Sequence, residues 1–237
     1  DGGALVFESP FLEEDLEIFG MPVVELELSS SEPVAMIAAR LSDVAPDDKA
    51  TRVTYGLLNL THRENHENPA PLQPGRHYRV RLPLNGVAQR FPMGHRLRLS
   101  LSTSYWPLAW PPPKPVQLII YTEGSSFSLP ARAPDPEDEG LRTFEEPEAA
   151  AALSVTPLRP GEQSWKVIRE LGKDESRLEV VLDTGTVRYN DIDVEISSRT
   201  KETYTYRADD YGSLSGETRW ERKFVRGDWQ VRTVTRT

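Results

Sequence analysis

Apolar and polar side chains alternate along most of the chain, and this alternation predicts β-strands. In Val23–Ser29, three apolar residues on one face alternate with two glutamates on the other. Tyr78–Leu84 and Arg96–Thr103 repeat the pattern with arginines as the polar partners. Successive side chains of a strand point to opposite faces, so each segment can bury one face and expose the other, as antiparallel sheets do. Further strands are predicted over Leu5–Glu8, Ala35–Val44, Arg52–Thr61, Val116–Thr122 and Phe127–Pro130.

Turn-forming residues separate these predicted strands. Ala45-Pro46-Asp47-Asp48 closes one strand, Asn85-Gly86 indicates a two-residue hairpin, and Glu123-Gly124-Ser125 predicts another turn. No convincing helical pattern lies between them. Many short strands joined by such turns predict an all-β fold, here a β-sandwich of the jelly-roll type.

The segment Pro130–Gly161 interrupts the alternation with six prolines and an acidic run. It predicts an extended connector with a helical turn near Glu146–Leu153. The expected organisation is therefore a sandwich over residues 1–133, a linker over 134–160 and an antiparallel β-meander over 161–237. Because strand-like sequence continues to Thr237 and Asp1 is not a methionine, we expect a piece of a longer polypeptide. The later strands are predicted over Trp165–Leu171, Arg177–Asp183, Asp191–Ser198, Lys201–Arg207, Glu217–Val225 and Trp229–Thr235.

The composition excludes several classes of function. The 237 residues include no cysteine, which removes disulfides, thiolate metal sites and a cysteine nucleophile. With 37 acidic and 28 basic side chains the net charge is -9, which disfavours a nucleic-acid surface. No apolar stretch approaches the roughly 20 residues of a membrane-spanning helix, and no signal peptide is visible. We therefore expect a cytoplasmic protein with neither a nucleic-acid nor a membrane partner.

The motifs of common catalytic and cofactor sites are absent from the sequence. No two glycines are separated by a single residue, so G-x-G-x-x-G cannot occur, and there is no Walker pattern. Gly212-Ser213-Leu214-Ser215-Gly216 resembles the G-x-S-x-G elbow of serine hydrolases but has the wrong spacing and no helix after it. The sequence predicts no catalytic residue, no cofactor and no metal site within the chain.

Two histidines four residues apart, His62 and His66, need a separate interpretation. On a helix this spacing would place both rings on one face, as metal ligands require. They follow a predicted strand and precede a proline-containing stretch, so a polar loop is favoured over a metal site. His77 and His95 lie at strand starts and are expected to serve as hydrogen-bonding residues.

An aromatic segment follows the strand that ends near Thr103. Tyr105, Trp106 and Trp110 are grouped among several prolines. Exposed rings could stack on sugar or hold a proline-rich ligand, partly exposed rings could anchor another domain, and buried rings would close the sandwich core. Use in the core or between domains is favoured, because paired exposed tryptophans are uncommon.

Several stretches of the sequence resemble a known family. Phe91–Leu99, which reads FPMGHRLRL, and the following Ser102–Pro107, which reads STSYWP, are similar to the C-terminal jelly-roll domain of CocE/NonD hydrolases. This group contains cocaine esterases and X-Pro dipeptidyl-peptidases, and the domain has a galactose-binding-like fold. Ala39–Asp47, Thr54–Arg63 and Leu72–Arg76 resemble the same family. The resemblance covers about the first 130 residues.

The resemblance implies an accessory role in a serine hydrolase that cleaves ester or amide bonds, either a dipeptidyl-peptidase or a carboxylesterase. The catalytic Ser-His-Asp triad of the family lies in a preceding α/β-hydrolase domain, which is the expected partner, with a homodimer as a further expectation. Val44, Ala45 and Pro46 would face the active-site mouth, and the chain alone would be inactive. The family's glycine after this turn is Asp48 here, so the turn is expected to differ.

The same resemblance makes Tyr105, Trp106 and Trp110 the expected interdomain surface. A free-standing carbohydrate-binding or oligomerisation module is the alternative, because sandwich folds carry many unrelated functions.

Overall fold

The computed structural model describes residues 3–133, 135–208 and 210–237, and Asp1, Gly2, Pro134 and Asp209 lie outside this description. The described chain consists of β-strands and two short 3-10 helices, which confirms the all-β fold class. It divides into two compact units, Asp1–Arg142 and Thr143–Thr237, here called the first and second unit. Neither described helix has the length and apolar character needed to span a lipid bilayer.

The described residues of the first unit form nine strands. In chain order they are β1 (Leu5–Glu8), β2 (Leu16–Gly20), β3 (Val23–Ser30), β4 (Met36–Val44), β5 (Ala50–Asn59), β6 (Tyr78–Pro83), β7 (Val87–Phe91), β8 (Arg96–Ser102) and β9 (Leu118–Ser128). They form a four-stranded sheet in the order β1-β8-β4-β5, a three-stranded sheet in the order β6-β3-β9, and the pair β2-β7. All of these pairings are antiparallel, as expected for a sandwich.

The core of the first unit is formed by the apolar positions of the predicted alternation. Most of these side chains belong to one buried cluster, and Tyr78 and Leu97 pack against it while half-buried. Fully burying one aliphatic side chain stabilises a fold by about 1.5–3 kcal/mol. The arginines and glutamates between them lie on the outer face, where Arg79 donates to Glu25 at 3.0 Å. The cluster includes Val24, Leu26 and Leu28 from β3, Val80 and Leu82 from β6, Ile37, Ala39 and Leu41 from β4, and Leu99 and Leu101 from β8.

The hairpin predicted at Asn85-Gly86 is wrong. These residues connect β6 to β7, but β6 pairs with β3 whereas β7 pairs with β2. Neither residue has the positive φ that a two-residue hairpin turn requires. Instead, the backbone amide of Asn85 donates a hydrogen bond to the backbone carbonyl of Tyr55, in the neighbouring strand β5, at 2.9 Å.

The turn predicted at Glu123-Gly124-Ser125 is also wrong, because β9 runs through it without interruption. The pairing of β3 with β9 shifts register between Glu25 and Glu27, which marks a β-bulge. Ser125 Oγ accepts a hydrogen bond from the Glu27 amide at 3.0 Å and donates to the Tyr121 carbonyl at 2.7 Å. The small polar residues therefore accommodate a bulge rather than a reversal of the chain.

The connector between the units is mostly extended, but its regular structure differs from the prediction. A 3-10 helix spans Pro136–Gly140, and the Asp135 side chain caps it by accepting from the Glu137 amide at 2.9 Å. No helical turn forms over Glu146–Leu153. The last residues of the predicted linker, Val155–Arg159, form a strand of the second unit.

The second unit is a single antiparallel sheet. Its strands are β10 (Val155–Arg159), β11 (Glu162–Glu170), β12 (Glu175–Tyr189), β13 (Val194–Arg207), β14 (Asp210–Arg226) and β15 (Trp229–Arg236). The order is β10-β12-β13-β14-β15, and β11 pairs with the other half of the same edge of β12. The strands predicted over Asp191–Ser198 and Lys201–Arg207 form the single strand β13.

A buried carboxylate lies beside the turn that connects β10 to β11. The side chain of Asp183 is 4% exposed and accepts two hydrogen bonds from Arg159, at 2.8 and 3.1 Å. It also accepts from the Gly185 amide at 2.8 Å, at the bulge of β12. The hydrogen bonds from Arg159 lower the pKa of the Asp183 carboxyl, with smaller contributions from Gly185 and Arg199.

Candidate functional site

The hairpin β4–β5 carries the predicted active-site loop at its tip. The Ala45 amide donates to the Lys49 carbonyl at 3.0 Å, and the Asp48 amide donates to the Ala45 carbonyl at 2.9 Å. Asp48 has a φ of 65°, so the aspartate itself adopts the left-handed conformation that glycine would favour. Asp48 therefore keeps the left-handed conformation even though it stands where the family has glycine.

The three predicted loop residues differ in accessibility. Val44 is fully buried, whereas Ala45 is half-buried and Pro46 is exposed. Val44 thus fixes the loop to the core, and only Ala45 and Pro46 offer surface to another molecule.

Polar side-chain contacts support the base of this loop. Asp43 Oδ1 and His95 Nδ1 are 2.7 Å apart, which confirms the hydrogen-bonding role expected for His95. Arg96, the next residue, contacts Asp48 of the turn and donates to Glu8 at 2.6 Å. The loop is therefore tied to both β8 and β1.

The aromatic segment after β8 is held by the same hairpin. The Tyr105 hydroxyl accepts a hydrogen bond from Arg52 Nη1 at 2.5 Å, and the guanidinium carbon of Arg40 lies 5.1 Å from the Tyr105 ring centre. Tyr55 meets the Tyr105 ring edge-on, with centroids 5.6 Å apart. Cation–π and edge-to-face contacts of this kind fix a ring in one orientation.

The two tryptophans of the segment contact each other. Their ring centroids lie 5.1 Å apart and the ring planes are inclined by 42°. Trp106 is half-buried and precedes a cis bond to Pro107, whereas Trp110 is 43% exposed and neighbouring Leu108 is 50% exposed. The rings do not form the flat platform on which a sugar ring would stack, and the exposed apolar part is Leu108 with Trp110.

The sequence pattern identified Tyr105, Trp106 and Trp110 but not Arg40 and Arg52, which hold Tyr105 in place. The available signal was strand pairing, since Arg40 lies opposite Tyr55 in the β4–β5 register. A basic residue beside an aromatic one on the outer face indicates a place where a further ring can dock.

His62 and His66 form a loop contact rather than a recognisable metal centre. Their Nδ1 atoms are 3.3 Å apart, and His62 ends a 3-10 helix that Asn59 caps. Within the described part of the chain, no group of three or more histidine, aspartate or glutamate side chains is arranged to hold a metal ion. His77 stacks on Tyr121 with ring centres 4.0 Å apart.

Together these features define a class: the first unit is an all-β sandwich domain with an anchored hairpin tip and an ordered aromatic segment. Residues 1–156 match the family of the X-Pro dipeptidyl-peptidase C-terminal non-catalytic domain. The chain belongs to this family, and residues 1–156 are a non-catalytic C-terminal domain of the kind found in CocE/NonD-like hydrolases, as the motifs from Phe91 to Pro107 predicted.

Known proteins contain a region that is similar to part of this chain. The cocaine esterase of Rhodococcus sp. (strain MB1 Bresler) is 29% identical over 103 residues, which cover 44% of this chain and 18% of the esterase. The structure of an α-amino acid ester hydrolase is 26% identical, with a TM-score of 0.53 over 56% of this chain and 26% of that one.

An aminopeptidase from the marine sediment archaeon Thaumarchaeota archaeon has the same fold. Its TM-score is 0.53 and its identity 22%, again over 56% of this chain and 26% of that one. The chain thus spans between 18% and 26% of the length of these relatives.

Proposed function

We propose that this chain is the C-terminal accessory part of a serine hydrolase that cleaves ester or amide bonds. The observation that carries the proposal is the match of residues 1–156 to a non-catalytic domain whose relatives are several times longer. In such an enzyme an α/β-hydrolase domain of the same polypeptide supplies the serine nucleophile, the histidine base and the orienting aspartate. The present chain supplies surfaces that position that domain.

The aromatic segment is the proposed contact with the catalytic domain. Leu108 and Trp110 expose apolar surface on a segment that Arg40 and Arg52 hold in place through Tyr105. Tryptophan in a preorganised setting is favoured at interface hot spots, because little further ordering is needed on association. A homodimer contact through the same segment is the competing use of this surface.

The hairpin tip is the proposed contribution to the active-site mouth. Ala45 and Pro46 project from a loop whose base is anchored by Val44 in the core and by the Asp43–His95 and Arg96–Asp48 pairs. A loop anchored in this way can limit the size of the acyl group that enters the mouth without contacting the reacting bond.

The test uses the full-length polypeptide with its catalytic domain. Trp110→Ala should lower the melting temperature of the catalytic domain by several degrees, whereas Trp165→Ala in the second unit should leave it unchanged. Ala45→Trp should raise KM for a bulky acyl ester at least fivefold while leaving kcat for p-nitrophenyl acetate within twofold.

Two results would overturn the proposal. One is a catalytic domain whose melting is indifferent to Trp110→Ala, and the other is equal kinetic effects of Ala45→Trp on small and bulky esters. If Trp110→Ala instead converts a dimer to a monomer in light scattering with unchanged melting, the aromatic segment is a dimer contact.

A further inference from the structure

The two long edges of the sandwich differ in how they are closed. At the edge formed by β5 and β6, Thr54 donates to the Asn85 carbonyl at 2.8 Å. A Cβ atom added at Gly56 would lie 2.7 Å from the Pro83 carbonyl oxygen, so the backbones approach as closely as glycine allows. This edge leaves no space between the sheets.

The opposite edge is formed by β1 and β9, the end strands of their sheets. Leu5 and Phe7 of β1 pair with Leu101 and Leu99, which face the core, so Leu5 and Phe7 face inward as well. Yet Leu5 is 47% exposed and Phe7 is 37% exposed. Inward-facing apolar side chains remain accessible because the sheets stand apart here.

The gap between the sheets is a cleft of about 380 Å³. A second cavity of about 220 Å³, next to Leu5, continues the cleft and shares the lining residues Leu101 and Ile120 with it. Clefts of about 300–1,000 Å³ lined by apolar side chains are the usual form of small-molecule sites. The apolar lining of the larger cleft includes Phe7, Leu26, Leu99, Leu101, Ile120 and Phe127.

The polar groups at the mouth are largely committed to the protein. Glu8 receives hydrogen bonds from Arg96 and Arg98, each at 2.6 Å. Ser9 Oγ accepts from the Leu97 amide at 2.9 Å, and Ser125 Oγ bonds to both Glu27 and Tyr121. A charged ligand would lose its hydration without gaining a counter-charge, whereas a neutral apolar ligand loses nothing of this kind.

We propose that this cleft, which we call the edge cleft, is a binding site for a small neutral apolar molecule. An apolar cavity of about 150 Å³ suffices for one benzene ring, so the edge cleft has room for two fused rings with a substituent or for an alkyl chain of about ten carbons. The site lies wholly within the first unit.

The test is a fluorescence titration of the 237-residue chain with N-phenyl-1-naphthylamine, whose emission rises in an apolar site. We expect one saturable binding phase. Thr122→Trp should fill the mouth and weaken binding of the probe at least tenfold, because Thr122 lines the exposed rim of the cleft and shares the inner face of β9 with Ile120. Ser128→Trp, on the same strand but on the outer face and outside the lining, should change binding less than twofold. If Thr122→Trp does not fold by circular dichroism, Thr122→Phe replaces it.

Competition defines the ligand chemistry. Decanol should displace the probe at least tenfold more effectively than decanoate or decyltrimethylammonium. The proposal is overturned if Thr122→Trp binds the probe as the unmodified chain does, or if a charged competitor matches decanol. It is equally overturned if the saturable phase disappears in Trp165→Ser, which would place binding on the second unit.

Discussion

The first and second units are built from the same alternating pattern, yet only the first buries it. In the first unit, two sheets enclose a cluster of sixteen buried apolar residues. Among the described residues of the second unit, Leu178 is the one buried apolar side chain. Alternation therefore specifies a strand with two unlike faces, but it does not specify whether a second layer covers the apolar face.

The strand register of the second unit shows where its apolar side chains go. Val180 lies opposite Trp165, Ile196 opposite Phe224, and Phe224 opposite Val231. Cross-strand neighbours share a face, so one side of this sheet is rich in aliphatic and aromatic residues, and Trp165 on it is 63% exposed. Such a sheet is held mainly by its hydrogen-bond ladder and by pairs such as Arg159–Asp183.

The largest contrast is expected from phenylalanine truncation. Phe91 is fully buried in the first unit, so Phe91→Ala should lower the free energy of unfolding of that unit by about 3–5 kcal/mol. Phe224 is half-buried in the second unit, and Phe224→Ala should cost about 1 kcal/mol. Urea denaturation followed by circular dichroism measures both, and equal losses would show that the second sheet is packed as tightly as the first.

Removal of the buried Asp183 carboxylate tests how much its hydrogen bonds stabilise the second unit. Asp183→Asn should destabilise that unit by about 2 kcal/mol, because Arg159 and the Gly185 amide lose a charged acceptor. Asp193→Asn is the matched control, since Asp193 lies in a loop and asparagine tolerates its φ of 49°. A control variant that is equally destabilised would contradict the assignment.

The pH dependence of the second unit follows from the same group. The pKa of Asp183 is lower in the folded chain than its ordinary value of 3.8, so the folded state favours the ionised form. Its contribution is therefore fully present above that ordinary value and is lost as the pH falls through the lowered folded value. Thermal melts between pH 2 and 7 should show this acid loss in the unmodified chain and a shallower one in Asp183→Asn.

The close approach of β5 to β6 at Gly56 predicts that a side chain there destabilises the first unit. Gly56→Ala should destabilise the first unit by about 2 kcal/mol, because the new methyl group meets the Pro83 carbonyl at 2.7 Å. Gly140→Ala, where nothing lies within 4 Å, should change stability by less than about 0.5 kcal/mol. Thermal denaturation of the two variants compares them, and a tolerated Gly56→Ala would mean that this edge is also open.

The smallest effect is expected at the hairpin tips, where the units are alike. Asp48 in the first unit and Asp193 in the second both have positive φ, at 65° and 49°. Replacement of either by valine should cost about 1–2 kcal/mol, since a β-branched residue is poorly accommodated there. Differential scanning calorimetry should give similar losses, and a much larger loss at one tip would assign that aspartate a role beyond its backbone conformation.

The fold could be predicted from the sequence as far as its strands, but not their partners. Alternation located β3, β6 and β8 within one residue at each end. It missed β2 and β7, which form a separate two-stranded pair, and it placed a hairpin at Asn85-Gly86. Turn residues report local backbone preference, whereas the choice of partner strand depends on contacts far away in the sequence.

The candidate site was predicted in the same incomplete way. The aromatic residues of Tyr105–Trp110 stand out in composition, and the hairpin tip stands out through the family motif. The burial of Val44 and the hydrogen bond from Arg52 to Tyr105 depend on two features. These are the register of β4 with β5 and the path of the chain after β8. No local pattern encodes either of these.

The proposal that this chain is the accessory part of a hydrolase and contributes no nucleophile can be tested directly. The most direct measurement incubates the purified 237-residue chain with a p-nitrophenyl ester and, separately, with a fluorophosphonate probe followed by mass spectrometry. We expect hydrolysis no faster than in the buffer control and no stoichiometric labelling of any serine. Turnover together with one labelled serine per chain would contradict it.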